Sequence, residues 1–287
     1  MEVVDLFRVA LAMTMLILAS RQDLRERMAE DYYWIAIGTG GLLYLVYLIF
    51  TVDLPLDYLL LVLAIGILFY DIFWERPDGY HKITFIIYSS ALIMISYVAF
   101  LNYQEPYFAI FITVPILYLL FLLFYMFDII KGGADAKCLI SLAILFPNYP
   151  LILGYPIISI PFNMAEVVLP FALMVLFHAA LFTVLSVFYN LFRNIRSRSL
   201  RFPQSFLGYQ LKISDARKGQ YWPMEAIIDG VPILKHSPQE GAEEIYAALE
   251  QLEREKVWVT PKIPFLIPIT LAVLFLTVVG NIMFLMS

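Results

Sequence analysis

Seven apolar runs, at residues 3–20, 33–50, 56–73, 84–101, 107–130, 165–192 and 263–285, constrain this chain more than any other feature. A bilayer takes roughly 20 apolar residues of helix per crossing, and each run approaches or exceeds that length. An eighth run, 136–154, is interrupted by Pro147 and Pro150 and reads either as a crossing or as a re-entrant segment. One globular core cannot absorb so much apolar surface. Hydrophobic residues make up 62% of the 287 positions and charged residues 15%, against about half and about a quarter in soluble domains. Lipid must cover the excess.

The basic residues orient the spans. With the N-terminus outside and every run crossing, the inner connections are 21–32, 74–83, 131–135 and 193–262, and nearly every Lys and Arg falls in them or, like Lys137, at their edges. Arg8 is the exception. The positive-inside rule expects this asymmetry, and it favours a full crossing at 136–154. A re-entrant segment there would leave Arg193, Arg196, Arg198 and Arg201 outside. The first run is preceded by Glu2 and Asp5 and followed by Arg21, Arg25 and Arg27, the reverse of a cleavable signal peptide. The expected fold class is therefore an all-α polytopic membrane protein, a bundle of about eight transmembrane helices with a small cytosolic α/β insert and both termini outside. The bundle occupies 1–192, the insert 193–262 and the last helix 263–287.

The insert holds most of the polar sequence. Its stretch from Glu225 to Leu234 contains Asp229-Gly230 between β-forming residues, a hairpin signal, and residues 238–256 read as a helix. The arginines of 193–201 stand just inside a helix end, where anionic lipid headgroups, rather than nucleic acid, are the expected partner. The single cysteine, Cys138, leaves no internal disulfide.

Ionisable residues near membrane depth are functional candidates. Four acids stand at inner helix ends: Asp23, Asp71, Asp128 and Asp135. Each also reads as an interfacial carboxylate, and Asp128 has Lys131 nearby to pair with. Asp135 is set apart by Lys131-Gly132-Gly133-Ala134-Asp135-Ala136-Lys137, where two glycines end one apolar helix and Asp135, an N-cap type, opens the next. Four runs separate Asp23 from Asp135, so both return to the same side. Two carboxyls held together share a proton, which supplies the ionised base and neutral acid needed to activate water. No metal or other cofactor is expected: His81, His178 and His236 are scattered and no His-Glu-x-x-His occurs. A transporter using buried acids and a broken helix for ion coupling is the alternative class.

At these places the chain resembles the archaeal preflagellin peptidases and type IV prepilin peptidases, GxGD intramembrane aspartyl proteases. Gly132-Gly133-Ala134-Asp135-Ala136-Lys137 resembles the motif G-x-G-D-x-K, with Ala134 at the second glycine. Ser20 to Arg27, followed by Asp31 to Trp34, is similar to the family's first catalytic segment, and 257–271 to the start of its last helix. The resemblance implies Asp23 and Asp135 as the catalytic pair, a loop shaped by Gly132 and Gly133, and no cofactor. It implies as substrates the precursors of archaellins or type IV pilins, cut at the cytosolic face. Asp71, two runs before Asp135, stays open as the partner instead of Asp23.

Overall fold

A computed structural model describes residues 2–74, 81–160, 165–228, 230–235, 237, 239, 241–262 and 264–286. The chain is mostly helical and divides into two units, residues 1–179 with 265–287, and residues 180–264.

The first unit is built from α1 (Glu2–Glu26), α2 (Asp31–Val52), α3 (Tyr58–Asp71), α4 (His81–Asn102), α5 (Phe108–Met126), α6 (Gly133–Leu145), the single turn α7 (Ala165–Val168), the first part of α8 (Phe171–Arg196) and α12 (Leu266–Val278). Five helices among the described residues are long and apolar enough to cross a membrane: α1, α2, α4 from Lys82, α5 and α8. The apolar helices α3 and α12 are shorter. Two expected runs are broken. The run 165–192 divides at Pro170, whose ring nitrogen carries no N–H, so α8 starts afresh at Phe171. The run 136–154 is helical only as far as Leu145, since Pro147 cannot continue the ladder.

At 13 residues, α6 is only roughly 20 Å long. It is also the most enclosed helix: every residue from Cys138 to Leu145 is buried. Packing around it is close because α2 carries Gly38-Thr39-Gly40-Gly41 on the way past. A Cβ on Gly41 would strike the Ile144–Leu145 backbone, and one on Gly38 would strike the Phe69 ring of α3. Bare α-carbons let apolar helices approach backbone to backbone. The far end of α6 is finished by Arg8 of α1. Its Nε donates to the Leu145 carbonyl at 2.9 Å, and one terminal nitrogen donates to the Asn148 carbonyl at 3.0 Å. The guanidinium pairs with Asp5, lies 3.8 Å from the Tyr44 ring centroid and is buried, as is Asp5. Asp5 in turn accepts from the Leu151 N–H at 3.2 Å, and Tyr44 donates to the Asn148 side chain at 3.0 Å. A cation at a helix C-terminus meets the negative end of the dipole and the unpaired carbonyls. Arg8 thus breaks the charge asymmetry for a reason: it is half of a buried pair.

The second unit contains the rest of α8, α9 (Gln204–Leu207), α10 (Ile213–Lys218), α11 (Ala242–Gln251) and five strands. Strands β1 (Tyr209–Lys212), β5 (Lys256–Pro261) and β2 (Tyr221–Pro223) form an antiparallel sheet in the order β1-β5-β2, and β3 (Glu225–Ile228) pairs with β4 (Val231–Leu234) as the expected hairpin. Gly230 has φ +77°, while Asp229 of the turn signal lies outside the described residues, as do His236 and most of the 74–83 connection. Tyr209, Ile213, Ala216, Tyr246, Leu249, Val257 and Val259 make a small core.

Removing one partner of a buried ion pair leaves an uncompensated charge and costs about 3–5 kcal/mol. Arg8→Gln is expected to destabilise the detergent-solubilised chain by that order in a thermal or denaturant melt. An unchanged melting curve would contradict the role given to Arg8.

Candidate active site

Asp23 sits near the C-terminal end of α1, which at 25 residues outlasts its apolar run and carries the chain on to Glu26. The helix is tied to α12 one turn earlier, where the hydroxyls of Ser20 and Thr270 lie 2.9 Å apart. Asp135 lies on α6. The expectation that Asp135 opens that helix as its cap is corrected: Gly132 is the N-cap, in extended backbone, and the helix starts at Gly133, which puts Asp135 in the first turn. The first turn accepts glycines and small residues, so the helix starts three residues earlier than a cap at Asp135 would give.

This placement explains the motif's spacing. A Cβ on Gly132 would fall onto the Asp135 carboxyl group. Any side chain at 132 therefore has to push that carboxyl aside, while glycine leaves its place free. Ala134, at the motif's second glycine, lines a cavity of about 440 Å³, so its methyl group has room. Gly133, Ala136, Lys137 and Ile140 line the same cavity, with Tyr125 of α5, Tyr88 of α4 and Asp31 of α2. On a helix of 3.6 residues per turn, Asp135 faces away from Gly133, Lys137 and Ile140. The cavity is behind the motif, not in front of the carboxyl.

Lys137 donates to both carboxylate oxygens of Asp31, at 2.7 and 2.8 Å. Among the described residues this is the ion pair that ties α6 to the first turn of α2. With Arg8 at the other end, α6 is held by charged groups at both of its termini. Asp128 is exposed in the turn after α5, at φ +56°, and Asp71 ends α3.

Asp135 stands ahead of the apolar part of α6, outside the candidate spans. Burial, aided by the charge of Asp23, pushes its carboxyl up to about 7. Among the candidate acids, Asp23 contributes to this rise. The helix N-terminus pulls the other way, favouring the anion, and burial prevails. Two half-buried carboxyls, one of which holds its proton to near neutrality, can supply an acid and a base at the same pH. The sequence did not signal the glycines of α2 or the ion pair through Asp31 as parts of the site's support. The Gly38-Thr39-Gly40-Gly41 cluster was the available clue.

A family model described as the C-terminus of archaeal peptidase A24, type II, matches residues 201–282. The preflagellin peptidase of Methanocaldococcus jannaschii is 28% identical over 227 residues, covering 76% of this chain and 92% of that protein. That of Methanococcus maripaludis is 27% identical over 271 residues, covering 93% and 92%, and that of Methanococcus voltae 23% over 279 residues, covering 95% and 94%. The similarity runs through both units, including the strands of the second.

The raised carboxyl has a consequence for stability. The folded chain holds the Asp135 proton more tightly than the unfolded chain, whose carboxyl titrates near 4. That advantage is complete below the unfolded value and is lost as pH rises through about 7. Asp135→Asn does not titrate, so its melting temperature is expected to gain several degrees on the parent between pH 4 and pH 8. Parallel pH profiles for the two proteins would contradict the assignment.

Proposed function

We propose, for a chain related to the archaeal preflagellin peptidases along most of its length, that it is an aspartic endopeptidase working at the cytosolic face of the membrane. Its substrates are the precursors of archaellins, with type IV pilin precursors as the wider class. Asp23 and Asp135 are its catalytic pair. What supports this reading is the Asp135 carboxyl set against the bare α-carbon of Gly132 and within reach of the charge of Asp23 on α1.

In this mechanism the ionised carboxylate takes a proton from a water molecule as the water oxygen bonds to the scissile carbonyl carbon. The protonated carboxyl gives its proton to the carbonyl oxygen. On collapse of the tetrahedral species the C–N bond breaks as the first carboxyl gives the leaving amine the proton it took from water, while the second, now ionised, takes a hydroxyl proton from the tetrahedral species, so the pair ends with one proton as it began. Gly132 leaves room for the Asp135 carboxyl, and Lys137 holds the motif helix to α2 through Asp31. A scissile bond just ahead of an apolar helix suits acids placed at the inner helix ends. The bundle comprises eight crossings, with α3, α12 and the segment 136–154, which starts inside α6 just after Asp135, as its less regular members, and residues 193–262 form a cytosolic insert.

The test is cleavage of a purified archaellin precursor by the full chain reconstituted in lipid. Asp23→Asn and Asp135→Asn are each expected to lower the rate at least about a hundredfold, in line with the loss of an acid or base, while membrane insertion stays near the parent's. Asp71→Asn is expected to retain activity. Activity in Asp23→Asn with loss in Asp71→Asn would move the pair to Asp71 and Asp135.

The motif glycines divide in the same assay. Gly132→Ala is expected to cut the rate at least about tenfold, or roughly 1.4 kcal/mol of barrier, because the new methyl displaces the acid. Ala134→Gly is expected to leave it within about twofold, a change of well under 1 kcal/mol. Equal effects at the two positions would contradict the geometry.

A further inference from the structure

The end of α8 carries a surface that the peptidase chemistry does not use. As the helix leaves its apolar run, Phe192 and Ile195 stay exposed, at 67% and 52%, and Phe202 follows at 63%. Arg196, Arg198 and Arg201 are exposed between them. Large aromatic and aliphatic side chains interleaved with arginines suit neither bulk water nor a hydrocarbon core. They suit the layer between, where apolar groups reach acyl chains and cations meet phosphates.

The surface is also held in shape. Asn194 is buried and donates to the carbonyls of Ser205 at 3.1 Å and Gly208 at 2.7 Å. The Arg201 N–H donates to the Ser205 hydroxyl at 2.7 Å. Arg193, by contrast, is committed inward, with its guanidinium 3.7 Å from the Tyr209 ring centroid. Three of the four arginines of this stretch are thus displayed outward on a turn whose backbone is fixed from behind.

We propose that the turn from Phe192 to Phe202 is a docking collar for anionic phospholipid headgroups, in which Phe192, Ile195 and Phe202 enter the interfacial layer and Arg196, Arg198 and Arg201 pair with lipid phosphates. Continuity and charge select this occupant. The surface begins where a 26-residue apolar helix ends, so headgroups lie at that level whenever α8 crosses a bilayer. A nucleic acid is the poorer partner, because a duplex has no acyl chains to receive Phe192, Ile195 and Phe202. Such docking does not depend on peptidase activity.

The test uses the full chain with Cys138→Ala and a nitroxide attached at Phe202→Cys, reconstituted in nanodiscs of phosphatidylcholine alone or with phosphatidylglycerol added. Collision of the nitroxide with oxygen, which partitions into lipid, is compared with collision with a water-soluble nickel chelate. The expected result is a severalfold shift toward oxygen on adding phosphatidylglycerol, reversed by Arg196→Gln, Arg198→Gln and Arg201→Gln together and weakened by high salt. These arginines are exposed, and an unchanged circular dichroism spectrum checks that the fold persists. A label equally wet in both lipids would overturn the proposal. So would a depth indifferent to the three substitutions, which would leave apolar contact alone. Protection by duplex RNA exceeding that by phosphatidylglycerol would identify a nucleic-acid surface instead.

Discussion

Everything about the candidate site depends on how a short helix is fastened inside an apolar bundle. Helix α6 is too short to reach across a bilayer by itself and is enclosed along most of its length, so its unpaired terminal groups have no water to turn to. Arg8 answers the last carbonyls, and Asp5 answers Arg8. At the other end Lys137 answers Asp31. Unpaired polar groups at the buried Arg8 end would each cost several kcal/mol, and the partly exposed Lys137–Asp31 pair adds a tie to α2 at the other end. The rotation of α6 points Asp135 away from the cavity behind the motif.

The glycines complete that arrangement by subtraction. Gly41 brings α2 against the backbone of α6, and Gly132 leaves vacant the place that the Asp135 carboxyl borders. Neither requires an unusual backbone at the motif: Gly132 is in extended backbone open to other residues. What the site needs there is space. The tolerance of Ala134 at the neighbouring motif position follows from the same consideration, since that side of the helix faces an open cavity.

Much of this was legible from the chain alone, because length and hydropathy are strong signals for helices in lipid. The long helices α1, α2, α4 and α5 fall where uninterrupted apolar runs stand. The runs broken at Pro147 and Pro170 were legible only in outline, since hydropathy averages across such breaks, whereas Pro115 lies within an unbroken α5. In the second unit the hairpin and α11 were visible from turn chemistry and helical composition, while the pairing order β1-β5-β2 joins strands distant in sequence that no local pattern encodes. The motif around Asp135 could be found by its residues, yet the cap assignment missed by three positions, because Asp and Gly both serve as caps and spacing does not choose between them. Arg8 looked like an anomaly of charge distribution. Its partners Asn148 and Leu145 lie far along the chain, so only the fold could make sense of it.

The central claim is that α1 and α6 bring Asp23 and Asp135 together. Cysteines placed at both positions in a Cys138→Ala background, in native membranes, measure this directly through short bifunctional reagents of graded length. Direct oxidation needs Cα atoms within about 7 Å, so the graded reagents also admit a more open resting site. The account predicts efficient 23–135 crosslinking with the shortest reagents and little for the pair 71–135. Efficient crosslinking of 71–135, with none at 23–135 for any reagent, would contradict it.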